Sequence, residues 1–264
     1  MAFPDVQLSK RPLHFIYLCD CSGSMQANGK MQALNQAIRQ SLPGMAEVAR
    51  QNPEAKVLVR AVSFAHQARW HVAEPTPVDQ LQSSWVDLQA EGLTAMGEAL
   101  RLVAAALRTP PMEQRALPPV LVLISDGAPT DDFEQGLRTL MREPWAQKAV
   151  RLAIAVGHDA DLDTLQQFIG AEPPSAAMPS AAMPPAAGLA AGGDRLPGAP
   201  LPRSGRRPLQ ASNATSLAQY IQWASTAVVG AASMPVSQVG SPSRTEANVP
   251  LPDLPPTVIG QVVW

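Results

Sequence analysis

The stretch Leu13-His-Phe-Ile-Tyr-Leu-Cys-Asp20, continued by Cys-Ser-Gly-Ser24, decides the fold of this chain. It opens with a nearly continuous apolar run, which is typical of a β-strand that is covered on both faces. A helical pattern follows from about Lys30 to Arg50, with apolar residues spaced by three and four. A buried strand, a polar loop and an amphipathic helix in this order predict the first unit of an α/β sheet.

Strand and helix patterns alternate along the rest of the chain. Strands are predicted at residues 57–64, 68–73, 120–124 and 150–156, and helices at 95–107, 133–141 and 162–169. The first two of these strands are separated by a short turn, which predicts a hairpin. The alternation predicts the α/β class, with a doubly wound, mostly parallel sheet and helices on both of its faces.

Composition divides the chain into a lead, one domain and a tail. We predict the lead at residues 1–12, the domain at 13–232 and a Pro-rich tail at 233–264. A Pro/Ala-rich insertion at 172–207 interrupts the domain, and we expect it to be disordered because proline removes backbone donors and small side chains build little core. A brief strand after Pro208 and a helix capped by Asn213 then resume the domain.

The charges and cysteines narrow the class of protein. With 20 Lys and Arg against 22 Asp and Glu, the chain has no electrostatic footprint for nucleic acid or an anionic membrane. We recognise no export signal and no apolar stretch of about 20 residues, so we expect a soluble, cytoplasmic protein. Cys19 and Cys21 lie two apart near the end of a predicted strand, where their side chains do not converge, so both are expected to be free thiols.

Side chains that carry oxygen atoms occur in three loops, each at the end of a predicted element. Asp20, Ser22 and Ser24 follow the first buried strand and form a D-x-S-x-S pattern. Thr94 directly precedes a predicted helix, and Asp126 follows the clearest central strand. Open α/β sheets bind their ligands at the carboxyl ends of the strands, so we expect these five residues to meet there.

Five oxygen ligands, with no sulfur and no imidazole, predict a site for a hard cation. With only two carboxylates among them, Mg²⁺ is the expected ion, and Mn²⁺ or Ca²⁺ are the alternatives. A helix-capping loop is the simpler explanation of Asp20 and Ser22, because both residue types favour such positions. One capping residue would suffice, however, and capping does not explain the second carboxylate, Asp126, at another strand end.

This pattern resembles the metal-ion-dependent adhesion site of von Willebrand factor A-type domains, which have a Rossmann-like fold. The resemblance spans about residues 11–170 and resumes at 208–230. It implies five metal ligands, of which the hydroxyls bind directly and the carboxylates bind directly or through water: Ser22, Ser24, Thr94, Asp20 and Asp126. It also implies that the sixth position of the ion is filled by water or by an Asp or Glu of a partner protein.

Within that family, Ser125–Asp131 and Thr94–Leu100 look most like the TerY subgroup of cytoplasmic bacterial proteins, which are associated with tellurite resistance and stress. This likeness implies a non-enzymatic adaptor that works beside a Ser/Thr kinase or a PP2C-type phosphatase. Cys21, Leu93 and the Pro/Ala-rich insertion depart from the common pattern, and none of these departures removes a ligand.

Two other functions account for parts of the sequence. A Mg²⁺-dependent phosphohydrolase could use Asp20, but such enzymes resemble D-x-D, whereas Ser22 stands in the second place, and no Lys or Arg stands in an obvious position to steady a leaving phosphate. A metal-independent scaffold could recruit partners through its Pro-rich segments. We expect binding without catalysis.

Overall fold

The computed structural model describes residues 10–52, 54–170, 207–233, 251–255 and 264. Its centre is a sheet whose strands are β1 (Arg11–Asp20), β2 (Ala55–Phe64), β3 (Ala68–Pro77), β4 (Val120–Ser125), β5 (Val150–Val156) and β6 (Leu209–Ala211). Within the described part of the chain the strand order is β3-β2-β1-β4-β5-β6. β3 pairs antiparallel to β2, and all other neighbours are parallel.

The described helices lie between the strands along the chain and after the last strand. They are α1 (Lys30–Gln51), α2 (Val78–Ser84), α3 (Met96–Ala106), α4 (Phe133–Met141), α5 (Pro144–Lys148), α6 (Leu162–Ile169), α7 (Ala214–Trp223) and α8 (Val229–Ser233). A 3₁₀ segment at Gly23–Gly29 precedes α1, and a π-helical turn at Ala224–Val228 joins α7 to α8. None of the described helices is long and apolar enough to cross a membrane.

The two faces of the sheet carry separate cores. Phe15 and Tyr17 of β1 belong to the core that includes residues of α1 and α7. Ile16 and Leu18 belong to the other core, which includes residues of α3, α4 and α6. Because successive residues of a strand face opposite sides, the continuous apolar run of β1 supplies both cores at once. The sheet is therefore covered on both faces.

The strand order reverses at β1, and this reversal positions the candidate site. The chain runs outward from β1 to β2 and β3, and then returns to β4, which pairs with β1 on its other side. The order 3-2-1-4-5-6 is that of doubly wound dinucleotide-binding sheets, which bind ligands in the crevice outside the carboxyl ends of the strands where the order reverses. Asp20 ends β1, and Ser125 ends β4, directly before Asp126.

The predicted fold class is confirmed, and most predicted elements occur within one or two residues of their expected ends. The hairpin of β2 and β3 is confirmed as well, although β3 runs four residues further than expected, to Pro77. Three short elements were not predicted from the sequence: α2, α5 and the 3₁₀ segment. Residues 1–9, 53, 171–206, 234–250 and 256–263 lie outside the described residues. The domain bounds and the disorder of the insertion therefore stay predictions.

The described residues of the tail pack against the domain. The backbone N–H of Trp264 donates to the carbonyl of Ser212, just beyond the edge strand β6, at 3.3 Å. Its indole Nε1 donates to the carbonyl of Asn28 in the loop after β1, at 2.9 Å. Trp223 Nε1 donates to the carbonyl of Asp253 at 2.9 Å. Trp264 is therefore attached both at the sheet edge and next to the first candidate loop.

Candidate metal centre

Asp20 anchors the first loop of the site. The residue is fully buried, and its Oδ1 accepts a hydrogen bond from the backbone N–H of Ser22 at 2.8 Å. Its Oδ2 accepts from the hydroxyl of Ser125, at the end of the neighbouring strand, at 2.5 Å. One carboxylate thus bonds both to its own loop and to the end of β4, which fixes its orientation.

The third loop meets the first through Asp126. The hydroxyl of Ser24 donates to Asp126 Oδ1 at 2.6 Å, and the Oγ atoms of Ser22 and Ser24 lie 3.0 Å apart. Asp126 is 1% exposed and Ser22 is 3% exposed, whereas Ser24 is exposed. The structure therefore brings four of the five predicted ligands into one cluster with a side open to solvent at Ser24.

The second loop, which carries Thr94, is joined to the first loop through the backbone of Gly92. The N–H of Gly23 donates to the carbonyl of Gly92 at 3.0 Å, which joins the first loop to the second. The N–H of Thr94 donates to Oγ1 of Thr130, and the N–H of Thr130 donates to the carbonyl of Thr94, both at 3.0 Å. Thr94 is buried, and within the described residues no hydrogen bond joins its hydroxyl to the other four side chains. Its loop is placed next to theirs.

Gly92 makes the close approach of the second loop possible. Its φ is +76°, in the left-handed region that favours glycine. A Cβ atom at this position would lie 2.2 Å from Cδ2 of His66, far inside van der Waals contact. The second loop therefore requires glycine here for two independent reasons.

Lys30 also contacts the site, although it is not among the residues predicted from the sequence. Its Nζ lies 2.8 Å from Asp126 Oδ2, and the side chains of Lys30 and Asp126 are 6% and 0% exposed. The sequence did contain a signal: Lys30 lies four and eight residues before Leu34 and Ile38, on the buried face of α1. A lone cation on an apolar helix face requires a buried anion as partner.

Asp131 has a structural role. Its two carboxylate oxygens accept from the N–H groups of Gly97 and Glu98, at 2.8 and 2.7 Å, in the first turn of α3. These bonds satisfy backbone donors that have no partner within the helix and place negative charge at its N-terminus. Within the described residues, no hydrogen bond or ion pair joins Asp131 to the five predicted ligands.

A family model matches the part of the chain that holds the candidate site. Residues 15–128 match the model of the von Willebrand factor type A domain, and this span holds all five predicted ligands. Residues 15–128 are therefore similar to a von Willebrand factor type A domain, and the domain that holds them is called the A domain. The match covers less than half of the chain, and it ends just after the third loop of the site. No curated protein sequence matches the chain.

Solved structures with the same fold include proteins of diverse origin. A structure of proximal thread matrix protein 1 from the mussel byssus has a TM-score of 0.52 and 16% identity, over 85% of this chain and 47% of that one. A D319A mutant of the PilB minor pilin from Streptococcus sanguinis has a TM-score of 0.52 and 12% identity, over 86% of this chain and 63% of that one. The pilus adhesin SpaC from Lactobacillus rhamnosus GG has a TM-score of 0.53 and 14% identity, over 84% of this chain and 31% of that one.

These identities establish the fold of the A domain and nothing more specific. The chain also spans less than two thirds of each of these three proteins. What the A domain binds must therefore be argued from its own residues.

The electrostatics of the A domain site favour a cation. Burial raises the pKa of the Asp20 carboxyl, hydrogen bonds from Ser125 and Ser22 offset part of this rise, and the nearby Asp126 raises the pKa further. Two buried carboxylates at close quarters repel each other, so a positive charge between them would stabilise both. Lys30 supplies one positive charge, which leaves a net single negative charge on these three groups when all are ionised.

The donor atoms fit a hard divalent ion. The cluster offers carboxylate and hydroxyl oxygens, which suit Mg²⁺, Mn²⁺ or Ca²⁺. Burial raises the pKa of the Cys21 thiol to about 12, which disfavours a thiolate at this neighbouring residue. Within the described residues, no group of three or more His, Cys, Asp or Glu side chains could hold a metal ion. A metal centre here would therefore depend on the hydroxyls.

Proposed function

We propose that the A domain binds one divalent cation, Mg²⁺ in the cell, and uses it to bind an Asp or Glu side chain of a partner protein. The ligands are the predicted five, Asp20, Ser22, Ser24, Thr94 and Asp126. The observation that carries this function is the 2.6 Å bond from Ser24 to Asp126, which joins the loops after two adjacent parallel strands. The bound ion supplies Lewis acidity toward a carboxylate.

The charge of the site supports recognition of an acid. Two carboxylates and one ammonium leave a divalent ion with an excess of one positive charge if all groups are ionised. A site with more carboxylates would satisfy the ion by itself, whereas this one leaves it electrophilic. An anionic ligand from outside completes the neutralisation, and this gives the partner's carboxylate its affinity.

The surface around the loops supports binding of a protein. Ser24 and Gly23 are exposed at the first loop, and Leu93 in the second loop is 53% exposed. A large exposed apolar side chain directly next to the ligand Thr94 gives a partner something to bury besides its carboxylate. Affinity then comes from the apolar contact and selectivity from the ion.

We also propose a partner class on the likeness of Ser125–Asp131 and Thr94–Leu100 to the TerY subgroup. The partner is a Ser/Thr kinase or a PP2C-type phosphatase of a bacterial stress or tellurite-resistance system, and the A domain is a cytoplasmic adaptor between such proteins. Surface plasmon resonance of the full chain against each enzyme class of the same organism, in Mg²⁺ and in EDTA, tests this assignment. Equal signals in both buffers would contradict it.

The metal-dependent function is tested with acidic peptides. The immobilised full chain is exposed to a peptide library in which each member has one Asp or Glu, paired with its Asn or Gln counterpart. We expect some acidic peptides to bind in Mg²⁺, and to be lost both in EDTA and on amide replacement. The variant Asp126→Asn should lose this binding, and Asp159→Asn, at an exposed position after β5, should keep it. Peptide binding that persists in EDTA would overturn the function.

A further inference from the structure

Lys30 is enclosed next to the proposed metal ligands. It is the first residue of α1 and follows Gly29, whose φ of +72° turns the chain into the helix. Its side chain is 6% exposed, and its Nζ binds Asp126 Oδ2 at 2.8 Å. An ammonium that is almost entirely removed from water is costly unless an anion compensates it, so this ion pair is a fixed part of the site.

The walls around Lys30 explain why it stays there. A Cβ atom at Gly157, just after β5, would lie 3.3 Å from both Cε and Nζ of Lys30, and 3.4 Å from Cβ of Trp264. Gly157, with φ of +83°, therefore leaves the room that the ammonium occupies. Trp264 lies on the same side and is bonded to Asn28, two residues before Lys30. The side chain of Lys30 thus lies between Gly157, at the end of β5, and Trp264.

We infer that Lys30 is a resident cation that stabilises Asp126 when no metal is bound and weakens the metal once it is bound. This rests on the proposed function. In the metal-free state the ammonium compensates the buried carboxylate, so the domain stays folded without an ion. In the metal-bound state it repels a divalent ion held through the same carboxylate.

The consequence is a coupling between the metal and the acidic ligand. Because Lys30 lowers the affinity for the ion alone, the site is more often empty in the absence of the partner at a given Mg²⁺ concentration, and the partner's carboxylate restores its occupancy. Coupling between two ligands is reciprocal, so the acidic ligand raises the metal affinity by the same factor by which the metal raises that of the ligand. Lys30 thereby makes occupancy of the site respond to the partner.

The test measures Mn²⁺ affinity by isothermal titration and melting temperature in EDTA, both on the full chain. We expect Lys30→Met to bind Mn²⁺ about tenfold more tightly or better than wild type. Its Tm in EDTA should fall by roughly 5 °C or more, because Asp126 loses its buried partner. Lys30→Gln removes the charge but keeps a donor, and it should shift both quantities in the same directions. Lys56→Met, at an exposed lysine of β2, is the matched control.

The outcomes separate this inference from the proposed function. Tighter Mn²⁺ binding together with a lower metal-free Tm supports the role of Lys30. If wild type binds Mn²⁺ and both Lys30 variants bind it no more tightly, Lys30 has no such role, while the metal function stands. If neither wild type nor the variants bind Mn²⁺, both the inference and the proposed function are overturned.

Discussion

The hydroxyl of Ser24 donates to Oδ1 of Asp126 at 2.6 Å, although 102 positions separate the two residues in the chain. The bond exists because β1 and β4 are parallel neighbours, so the loops that follow them leave the sheet at the same edge. Asp20 and Ser125 form a second link of the same kind at 2.5 Å. The candidate site is therefore a direct product of the strand order, and it is lost if that edge is distorted.

Gly92→Ala should distort the second loop of the candidate site. Alanine at position 92 would have to adopt a left-handed φ, and its Cβ would need space that His66 occupies. We therefore expect the free energy of unfolding to fall by about 1–3 kcal/mol. Urea unfolding followed by circular dichroism measures this loss. Gly127→Ala is the matched control, because nothing lies within 4 Å of its added Cβ. Equal stability of the two variants would show that the second loop tolerates a side chain at position 92.

Leu93→Ala should separate partner binding from metal binding. Leu93 is 53% exposed and is not among the proposed ligands, so Mn²⁺ affinity should stay at the wild-type value. Binding of an acidic peptide selected in Mg²⁺ should weaken about fivefold or more, because an apolar contact at the interface is lost. Fluorescence anisotropy measures the peptide affinity. Val86→Ala, at an even more exposed apolar residue, should leave it unchanged, and a loss with Val86→Ala alone would place the interface elsewhere.

Asp161→Ala should destabilise the domain in a way that depends on pH. Asp161 caps α6, and hydrogen bonds from the Thr164 side chain and backbone, followed by the Asp163 N–H, hold the pKa of Asp161 below its ordinary value. The stabilisation is then complete above the unfolded pKa of about 3.9 and is lost as the pH falls through the lower folded pKa. At pH 7 the variant should lose about 1 kcal/mol.

Melting curves of wild type and Asp161→Ala at pH 7 and near pH 2.5 check this sign. The difference in Tm should be larger at pH 7 and should shrink in acid. Asp159→Ala, at an exposed residue that caps no helix, should melt like wild type at both pH values. A difference that grows in acid would contradict the capping role.

We expect no turnover of p-nitrophenyl phosphate in Mg²⁺ or Mn²⁺. Both oxygens of Asp20 accept hydrogen bonds, from Ser22 and Ser125. Lys30, the one cation that the described residues place beside the proposed ligands, is paired with Asp126. Neither group is arranged to attack a phosphate or to steady a leaving one. Turnover that Asp20→Asn abolishes would instead establish the phosphohydrolase.

Local patterns carried much of the prediction. The apolar run of β1 is visible in the sequence because both faces of that strand are buried, and Asp20 is visible because it ends the run. Lys30 was missed because its partner Asp126 lies 96 positions away, and only the packed fold brings them together. The contact between Gly92 and His66 is likewise tertiary.

Short elements were missed for a different reason. α2 spans Val78–Ser84 and buries only Val78 and Leu81, too few residues to show a helical period. The 3₁₀ segment at Gly23–Gly29 buries only Met25, so it shows no helical period either. Such segments are set by their surroundings more than by their own composition.

Titration of the full chain with Mn²⁺, followed calorimetrically, tests the central claim most directly. We expect one ion per chain in the wild type, with affinity lost in Asp20→Asn and Thr94→Ala and unchanged in Asp253→Asn, which lies in the tail far along the chain from the three loops. Loss on Thr94→Ala is decisive, because Thr94 belongs to the ligand set only if its hydroxyl reaches the ion. A wild-type chain that binds no Mn²⁺, or a Thr94→Ala variant that binds it as well as wild type does, would contradict the five-ligand site.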